Sequence, residues 1–289
     1  MKKYFLLIRP YHYVKNLFIF APLIFSLEFD KIAHIESSIA AFIIFSIIAS
    51  SVYIFNDIKD VEADRQHPVK KERPIASGEV KVKSAFILSL VLMAAGLIFS
   101  FFLNITFMFI ILSYLVLNIF YSLGLKHVTI LDIFIISIGF VLRVFAGAVV
   151  ISVNVTMWII IITFLLSLFL ALAKRRDDIL LSGEGLNTRK NIDGYNLTFV
   201  SSGMLVMASV VIVSYILYTI SENVISKFDA QHLYLTVLFV ILGVFRYMQL
   251  TFVENKGGNP TMLLWTDRFL QITILLWLVS FLVIVIYNL

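Results

Sequence analysis

The chain has 289 residues, of which 61% are hydrophobic and 14% are charged, and its formal net charge is +5. With a mean hydropathy of +0.99 it is too apolar for a soluble globular domain, so we expect a polytopic membrane protein. It contains no cysteine, which excludes disulfides, thiolate metal sites and cysteine nucleophiles.

Nine apolar runs are long enough, or nearly long enough, to cross a bilayer, which requires about 20 residues in a helix. The first run is short and contains Pro22, and no small-residue cleavage site follows it. We therefore expect a tilted or kinked membrane helix there and not a secretory signal. The sequence predicts an all-α polytopic membrane protein with nine transmembrane helices in a single domain over residues 1–289. The runs lie at 16–28, 36–56, 83–103, 105–121, 129–151, 155–173, 197–220, 231–250 and 268–287.

The basic residues concentrate on one set of loops. Twenty of the 23 lysines and arginines lie in the N-terminal tail or after the second, fourth, sixth and eighth runs. Lys31 and Lys227 fall in the alternate loops, and Arg143 lies inside the fifth run. Because cytoplasmic loops are enriched in Lys and Arg, we expect a cytoplasmic N-terminus and cytoplasmic long loops, with the C-terminus outside. This pattern indicates membrane topology, so we expect no nucleic-acid partner.

An acidic stretch interrupts the apolar pattern directly after the second run. Asn56, Asp60 and Asp64 are four residues apart and Asp57 lies three before Asp60, so a continuing helix places all four on one face. Carboxylates at this spacing repel one another unless a cation lies among them. Oxygen ligands near water favour Mg²⁺ shared with a phosphorylated substrate. The alternative is a solvated charged loop between two membrane helices, but the helical spacing over two turns favours a metal–pyrophosphate site.

Further candidate residues lie at the predicted cytoplasmic ends of several helices. Each has an ordinary alternative explanation: an interfacial tyrosine, a snorkelling lysine, a basic membrane-surface cluster, or a structural ion pair for the arginine inside the fifth run. Together they surround the acidic stretch with groups that complement phosphate oxygens. These candidate substrate-binding residues are Lys15, Lys70, Arg73, Tyr121, Lys126, Arg143, Lys174 and Arg175.

The acidic stretch resembles the first Asp-rich motif of the UbiA-type intramembrane prenyltransferase superfamily, whose nine-helix fold matches the nine runs. The likeness is closest to the branch of polyprenyl-phosphate (decaprenyl-phosphate) phosphoribosyltransferases, and it covers nearly the whole chain. The stretches that carry it are Arg9-Pro10, Val14-Lys15-Asn16, Ala21-Pro22, 56–78, Tyr121-Ser122, Leu125-Lys126, Leu131-Asp132, 139–143, 146–148 and 174–176.

One departure from the wider superfamily distinguishes the phosphoribosyltransferase branch from ordinary prenyltransferases. Prenyltransferases of this type carry a second Asp-x-x-x-Asp motif after the sixth helix, where this chain has Lys174-Arg175-Arg176-Asp177-Asp178. Cations at that position disfavour a second metal and favour an anionic acceptor. A lipid phosphate is such an acceptor, whereas a neutral aromatic ring is not.

The resemblance implies transfer of a 5-phosphoribosyl group from phosphoribosyl pyrophosphate to a membrane polyprenyl phosphate, with release of pyrophosphate. It implies Mg²⁺ as cofactor, held by Asn56, Asp57, Asp60 and Asp64, with the three aspartates and Lys126 as catalytic residues. It further implies that the remaining candidates bind substrate phosphates, with the polyprenyl tail in a groove between helices. The lipid attack needs no strong general base, since a phosphate is already anionic at pH 7.

Two other functions remain open from the sequence. An ordinary prenyltransferase would move an isoprenyl group from its diphosphate to an aromatic or quinone-precursor ring with the same first motif. A lipid or solute transporter would need ionisable groups near the bilayer midplane on several helices, whereas almost all of the charge lies at one face and Arg143 is the main exception. A homo-oligomer is left open as a further partner, and the resemblance implies a bacterial or archaeal plasma membrane.

Overall fold

The computed structural model describes residues 2–67, 69–183 and 194–288, and these residues form helices and connecting turns without a β-strand. The α-helices are α1 (Lys2–Ile8), α2 (Ala21–Phe25), α3 (Ile32–Lys59), α4 (Val61–Gln66), α5 (Val82–Leu103), α6 (Ile105–Leu123), α7 (Leu131–Val150), α8 (Met157–Gly183), α9 (Leu197–Thr219), α10 (Glu222–Phe228), α11 (Val237–Phe252), α12 (Pro260–Thr266) and α13 (Arg268–Ile286). Short 3₁₀ helices cover Pro10–Phe20, Glu28–Asp30, Lys70–Glu72, Leu125–His127 and Leu233–Thr236.

Eight helical segments among the described residues are long and apolar enough to cross a membrane. They are α3, α5, α6, α7, α8, α9, α11 with the 3₁₀ turn before it, and α13. The predicted division between the third and fourth runs is confirmed, because α5 ends at Leu103 and Asn104 caps α6 by accepting hydrogen bonds from two backbone N–H groups. This Asn cap satisfies donors that a helix start otherwise leaves unpaired.

The first predicted helix, 16–28, has a different structure. In its place the 3₁₀ helix Pro10–Phe20 runs into the five-residue helix α2, with prolines in the first turn of each. Proline lacks the N–H that a continuing helix needs, so it is tolerated at a helix start and interrupts a helix interior. Leu27 then adopts a left-handed conformation, with φ of 58°, and ends the segment. Nine long helices are therefore not seen in the described part of the chain.

The described residues divide into two compact units. The first comprises Met1–Thr156 with Ser182–Asn191, and its core joins the 3₁₀ helix Pro10–Phe20 to α3, α6 and α7. Close helix packing in a membrane depends on small residues and buried hydrogen bonds. Gly147 of α7 is such a residue, because a Cβ at this position would lie 1.9 Å from the carbonyl oxygen of Ile19. Between α3 and α5, the Ser51 and Ser89 hydroxyls each donate to the other residue's backbone carbonyl at 3.0 Å.

The second unit comprises Met157–Leu181 with Ile192–Leu289. A buried hydrogen-bond chain joins three of its elements: Trp277 of α13 donates to the Tyr215 hydroxyl at 2.7 Å, and that hydroxyl lies 2.8 Å from Thr236 Oγ1. At another point Arg176 of α8 donates to the backbone carbonyl of Thr251 in α11 at 2.6 Å. Apolar side chains gain little by packing against another helix instead of lipid, so hydrogen bonds of this kind help to hold membrane helices together.

The acidic stretch continues α3 with only a local break. Asp60 departs from helical geometry, yet its N–H still bonds to the Asn56 carbonyl at 3.0 Å, and the Asp64 N–H bonds to the Asp60 carbonyl at 2.8 Å. The following loop turns back because Ile75 and Val80 pack with Leu7 of α1, Ile54 of α3 and Ala85 of α5. This apolar anchor returns the loop to the end of α3.

Candidate active site

Asp57 is the most deeply buried carboxylate of the acidic stretch, with 2% of its surface exposed. Arg9 Nη2 donates to its two carboxylate oxygens at 2.5 and 2.6 Å, and Arg73 Nη1 donates to one of them at 3.0 Å. Arg9 reaches Asp57 from the turn between α1 and the first 3₁₀ helix, where its backbone has φ of 54°. A buried carboxylate needs such partners, because an uncompensated charge away from water is strongly unfavourable.

Arg73 joins two carboxylates through one nitrogen. Its Nη1 lies 2.6 Å from Asp64 Oδ2 and 3.0 Å from Asp57 Oδ1, and Asp64 is 4% exposed. The guanidinium therefore occupies the position between two oxygen ligands in which a bridging cation would lie. The loop that carries Arg73 is the one anchored against α1, α3 and α5.

Asp60 is paired with the lysine that follows the fourth predicted run. Lys126, on the 3₁₀ turn Leu125–His127, donates from Nζ to Asp60 Oδ1. Lys126 is 6% exposed, so both the carboxylate and the ammonium are removed from bulk water on at least one side. The three aspartates of the stretch are thus each matched with a basic side chain from another part of the first unit.

The predicted metal ligands do not surround one point. Within the described ranges no group of three or more His, Cys, Asp or Glu side chains lies close enough to share a metal ion. The donor chemistry nevertheless fits a hard divalent cation, because every candidate ligand is an oxygen. Asn56 Oδ1 is buried and has no hydrogen-bond partner among the described residues, which is costly unless a ligand completes it. Asn56, Asp57, Asp60 and Asp64 therefore offer the kind of ligand atom that such an ion prefers.

Lys15 lies on the first 3₁₀ helix and forms no ion pair with another described residue. Burial lowers the pKa of its ammonium from 10.5 to about 8, and the guanidiniums of Arg143 and Arg9 contribute to this decrease. The Tyr121 side chain acts in the opposite direction, which places it near the ammonium. A cation without an acidic partner beside two other cations is suited to receiving an anion.

Arg143 is held by neutral groups of the protein. It donates to Asn16 Oδ1 at 2.8 Å, to the Gly139 carbonyl at 2.7 Å and to the Tyr114 hydroxyl at 3.2 Å. Its guanidinium also lies 4.9 Å from the ring centre of Phe45. The structural ion pair considered from the sequence is not what the geometry shows, because the partners are an amide, a carbonyl and a hydroxyl.

The remaining candidates are divided between the two units. Lys70 and Tyr121 are half-buried in the first unit, whereas Lys174 and Arg175 belong to the second. Lys174 is exposed, and Arg175, only 2% exposed, donates to Asp178 Oδ2 at 2.6 Å one turn later on α8. Part of the guanidinium of Arg175 is therefore used within its own helix.

Two polar residues of the first unit were missed as site residues by the sequence reasoning. Arg9 binds Asp57, and Asn16 links Arg143 to Ser46, donating to the serine hydroxyl at 2.9 Å. Both lie in the N-terminal stretches that carry the family resemblance. The signal that could have identified them is the presence of a basic residue and an amide beside a short, proline-containing membrane run.

Comparison with known proteins agrees with this fold and motif. The model of the UbiA prenyltransferase family matches residues 17–270. Decaprenyl-phosphate phosphoribosyltransferase of Mycolicibacterium smegmatis is 31% identical over 285 residues, covering 94% of this chain and 88% of that protein. The enzyme of the same name from Corynebacterium glutamicum is 32% identical over 276 residues, covering 93% and 82%.

The solved structures extend the agreement to the fold. A UbiA homologue from Archaeoglobus fulgidus bound to DMAPP and Mg²⁺ superimposes with a TM-score of 0.72, covering 98% of this chain and 99% of that one, at 16% identity. At that identity the likeness concerns the fold alone. The resemblance inferred from the acidic motif is confirmed, and the chain belongs to the UbiA prenyltransferase family.

Proposed function

We propose that this protein transfers the 5-phosphoribosyl group of phosphoribosyl pyrophosphate to a membrane polyprenyl phosphate and releases pyrophosphate. The observation that carries the proposal is the cluster in the first unit, in which Asp57, Asp60 and Asp64 are matched by basic side chains. Such a cluster suits a diphosphate donor and its counter-cation. The named activity of relatives aligned over more than 90% of the chain supports the choice of donor and acceptor.

Asn56, Asp57, Asp60 and Asp64 are proposed to hold the divalent cation, with Mg²⁺ the ion that suits their oxygen ligands. When bound, this cation supplies neutralisation of the charge that develops on the leaving diphosphate. Arg73, Lys70 and Lys126 contribute positioned cations for the same oxygens. Arg73 and Lys126 already bind acidic residues of the stretch, and Lys70 lies on the 3₁₀ turn directly before Arg73.

The acceptor needs positioning and not deprotonation. A lipid phosphate carries negative charge at neutral pH, so the attack on the ribose carbon requires no histidine or cysteine base. Lys15, with Tyr121 beside it, is proposed to bind one of the phosphate groups in the first unit. Arg143 binds Asn16, the residue next to Lys15 on the first 3₁₀ helix. We therefore retain Arg143 as a candidate that supports substrate binding by positioning this helix. Lys174 and Arg175 are proposed to meet an anionic lipid head group.

We further propose a cytoplasmic N-terminus and active site, an external C-terminus, and a single catalytic domain formed by the whole chain. This topology requires that the segment at 16–28 crosses the membrane in addition to the eight long spans. The segment packs against α3 and α7, which would shield its broken helix from lipid. The bias of Lys and Arg toward alternate loops supports the orientation.

The test uses the purified protein in nanodiscs with Mg²⁺, a polyprenyl phosphate and radiolabelled phosphoribosyl pyrophosphate, with the organic phase counted after extraction. Label should enter the lipid fraction, and chelation of the metal or Asp60→Asn should prevent it. Parallel reactions contain an isoprenyl diphosphate and an aromatic acceptor. If these react while no ribosyl label enters any of several polyprenyl phosphates, the protein is an ordinary prenyltransferase instead.

A further inference from the structure

The charges of the acidic cluster balance within the chain. Asp57 is bound by Arg9 and Arg73, Asp64 by Arg73, and Asp60 by Lys126. A divalent cation added to this set would share its ligands with groups that already carry positive charge. Like charges close together at a partly buried site repel strongly, so either the metal binds weakly or a basic side chain leaves.

We propose that Arg73 is an exchangeable cation, which holds Asp57 and Asp64 until a metal–diphosphate complex binds and then moves from the carboxylates to the diphosphate. The inference rests on the proposed function only in needing a diphosphate donor. The incoming complex brings both the cation that replaces Arg73 between the carboxylates and the anion that Arg73 then binds. Metal and diphosphate therefore bind cooperatively, and metal alone binds poorly.

The geometry selects Arg73 over Arg9 for this role. Arg9 binds both oxygens of one carboxylate, its side chain is 12% exposed, and its guanidinium lies 5.7 Å from the ring centre of Tyr53. Arg73 touches the two carboxylates through one nitrogen, its side chain is 27% exposed, and it sits on a loop that follows a single 3₁₀ turn. Arg73 has the more accessible path to solvent, while Arg9 keeps Asp57 in place.

Asn56 gives a second observation that favours a cation in the acidic stretch. Its buried Oδ1 has no partner among the described residues, although Asn56 is within one residue of Asp57. A guanidinium nitrogen already occupies the space between the carboxylates, and it leaves this amide oxygen unbound. We expect a metal ion that displaces Arg73 to be held by the two carboxylates, with the Asn56 amide oxygen as a further candidate ligand.

The test measures Mn²⁺ binding by electron paramagnetic resonance on the full-length protein in nanodiscs, without ribosyl donor or polyprenyl lipid. Arg73→Gln should bind Mn²⁺ alone at least about tenfold more tightly than the wild type, a change in the usual range for coupled sites. Arg65→Gln is the matched control, since Arg65 binds Glu62 and the Ala76 carbonyl and not the cluster. Its Mn²⁺ affinity should equal that of the wild type.

Inorganic pyrophosphate is then added as the diphosphate probe. In the wild type it should raise the affinity for Mn²⁺ by more than it does in Arg73→Gln, because the variant has no arginine to transfer. Unchanged or weaker Mn²⁺ binding by Arg73→Gln in the absence of pyrophosphate overturns the proposal. If that variant does not fold, Arg73→Lys tests the same point: it keeps the charge and should bind Mn²⁺ as weakly as the wild type, and clearly tighter binding overturns the proposal.

These outcomes are separable from the identity of the donor. Neither ribose nor polyprenyl phosphate is present, so the Mn²⁺ measurements stand whichever diphosphate the enzyme uses. A failed phosphoribosyl assay with the expected Mn²⁺ results would reassign the reaction and keep the exchange. A successful phosphoribosyl assay with unchanged Mn²⁺ binding in Arg73→Gln would keep the proposed reaction and overturn the exchange of Arg73.

Discussion

The buried ion pair between Arg9 and Asp57 should contribute far more to stability than the exposed pair between Arg65 and Glu62 in the same region. Removing one partner of a buried pair typically costs about 3–5 kcal/mol, and Asp57 is 2% exposed while Arg9 is 12% exposed. Arg73 still reaches Asp57 in an Arg9→Gln variant, so we lower the expected loss of stability to about 2 kcal/mol. A double-mutant cycle with Asp57→Asn should return most of this value as coupling energy.

The assay is equilibrium unfolding in mixed micelles, followed by far-ultraviolet circular dichroism, for the wild type, both single variants and the double variant. Arg65 and Glu62 provide a matched control pair, because they lie at 2.8 Å in the same region but are 49% and 78% exposed. Exposed ion pairs contribute about 0–1 kcal/mol to stability, so the double-mutant cycle for Arg65 and Glu62 should give a coupling energy close to zero. Equal coupling for the two pairs would refute the claim that burial makes the Arg9–Asp57 pair strong.

Four further outcomes are expected. Asp60→Asn and Asp64→Asn should each reduce ribosyl transfer by at least about 100-fold, since each removes a charge needed for metal and donor binding; near-normal initial rates would contradict the site. Arg143→Lys should destabilise the protein by about 2 kcal/mol, measured by the same unfolding assay, because a single ammonium nitrogen cannot reach the three acceptors that separate guanidinium nitrogens contact, nor stack flat on a ring. Lys15, with its pKa at about 8, is charged below and neutral above that pH, so phosphate affinity measured by calorimetry should fall as pH rises through 8 and should not fall in Lys15→Arg. Lys174→Ala should raise the KM for lipid phosphate and leave that for phosphoribosyl pyrophosphate unchanged; equal effects on both would place Lys174 elsewhere.

The same pKa shift has a consequence for stability with the opposite sign. The pKa of Lys15 in the folded protein lies below its ordinary value of 10.5, so between about pH 8 and 10.5 the unfolded chain binds more protons. Stability contributed by this group therefore rises with pH across that window and is constant below it. Substrate binding and folding should consequently respond to pH in opposite directions above pH 8.

The sequence by itself determined the class of protein and the location of its acidic site. A bilayer accepts only segments of sufficient apolar length with an internally bonded backbone, so hydropathy alone located eight of the nine predicted spans. The division of the third and fourth runs at Asn104 followed from the same rule, and the structure added that Asn104 caps the second of these helices. The acidic spacing from Asn56 to Asp64 identified the family, because four-residue spacing is a property of the local helix and needs no tertiary contact.

Only the tertiary structure decided which cation meets which acid. Arg9 and Asp57 are 48 positions apart in the chain, and Lys126 and Asp60 are 66 apart. Their pairing depends on how α1, the first 3₁₀ helix and α6 pack around α3, and hydropathy carries no information on that packing. The close approach of Gly147 in α7 to Ile19 in the first 3₁₀ helix was likewise decided by tertiary packing. Local periodicity is set by neighbours in the chain, whereas the charge balance of a buried site is set by neighbours in space.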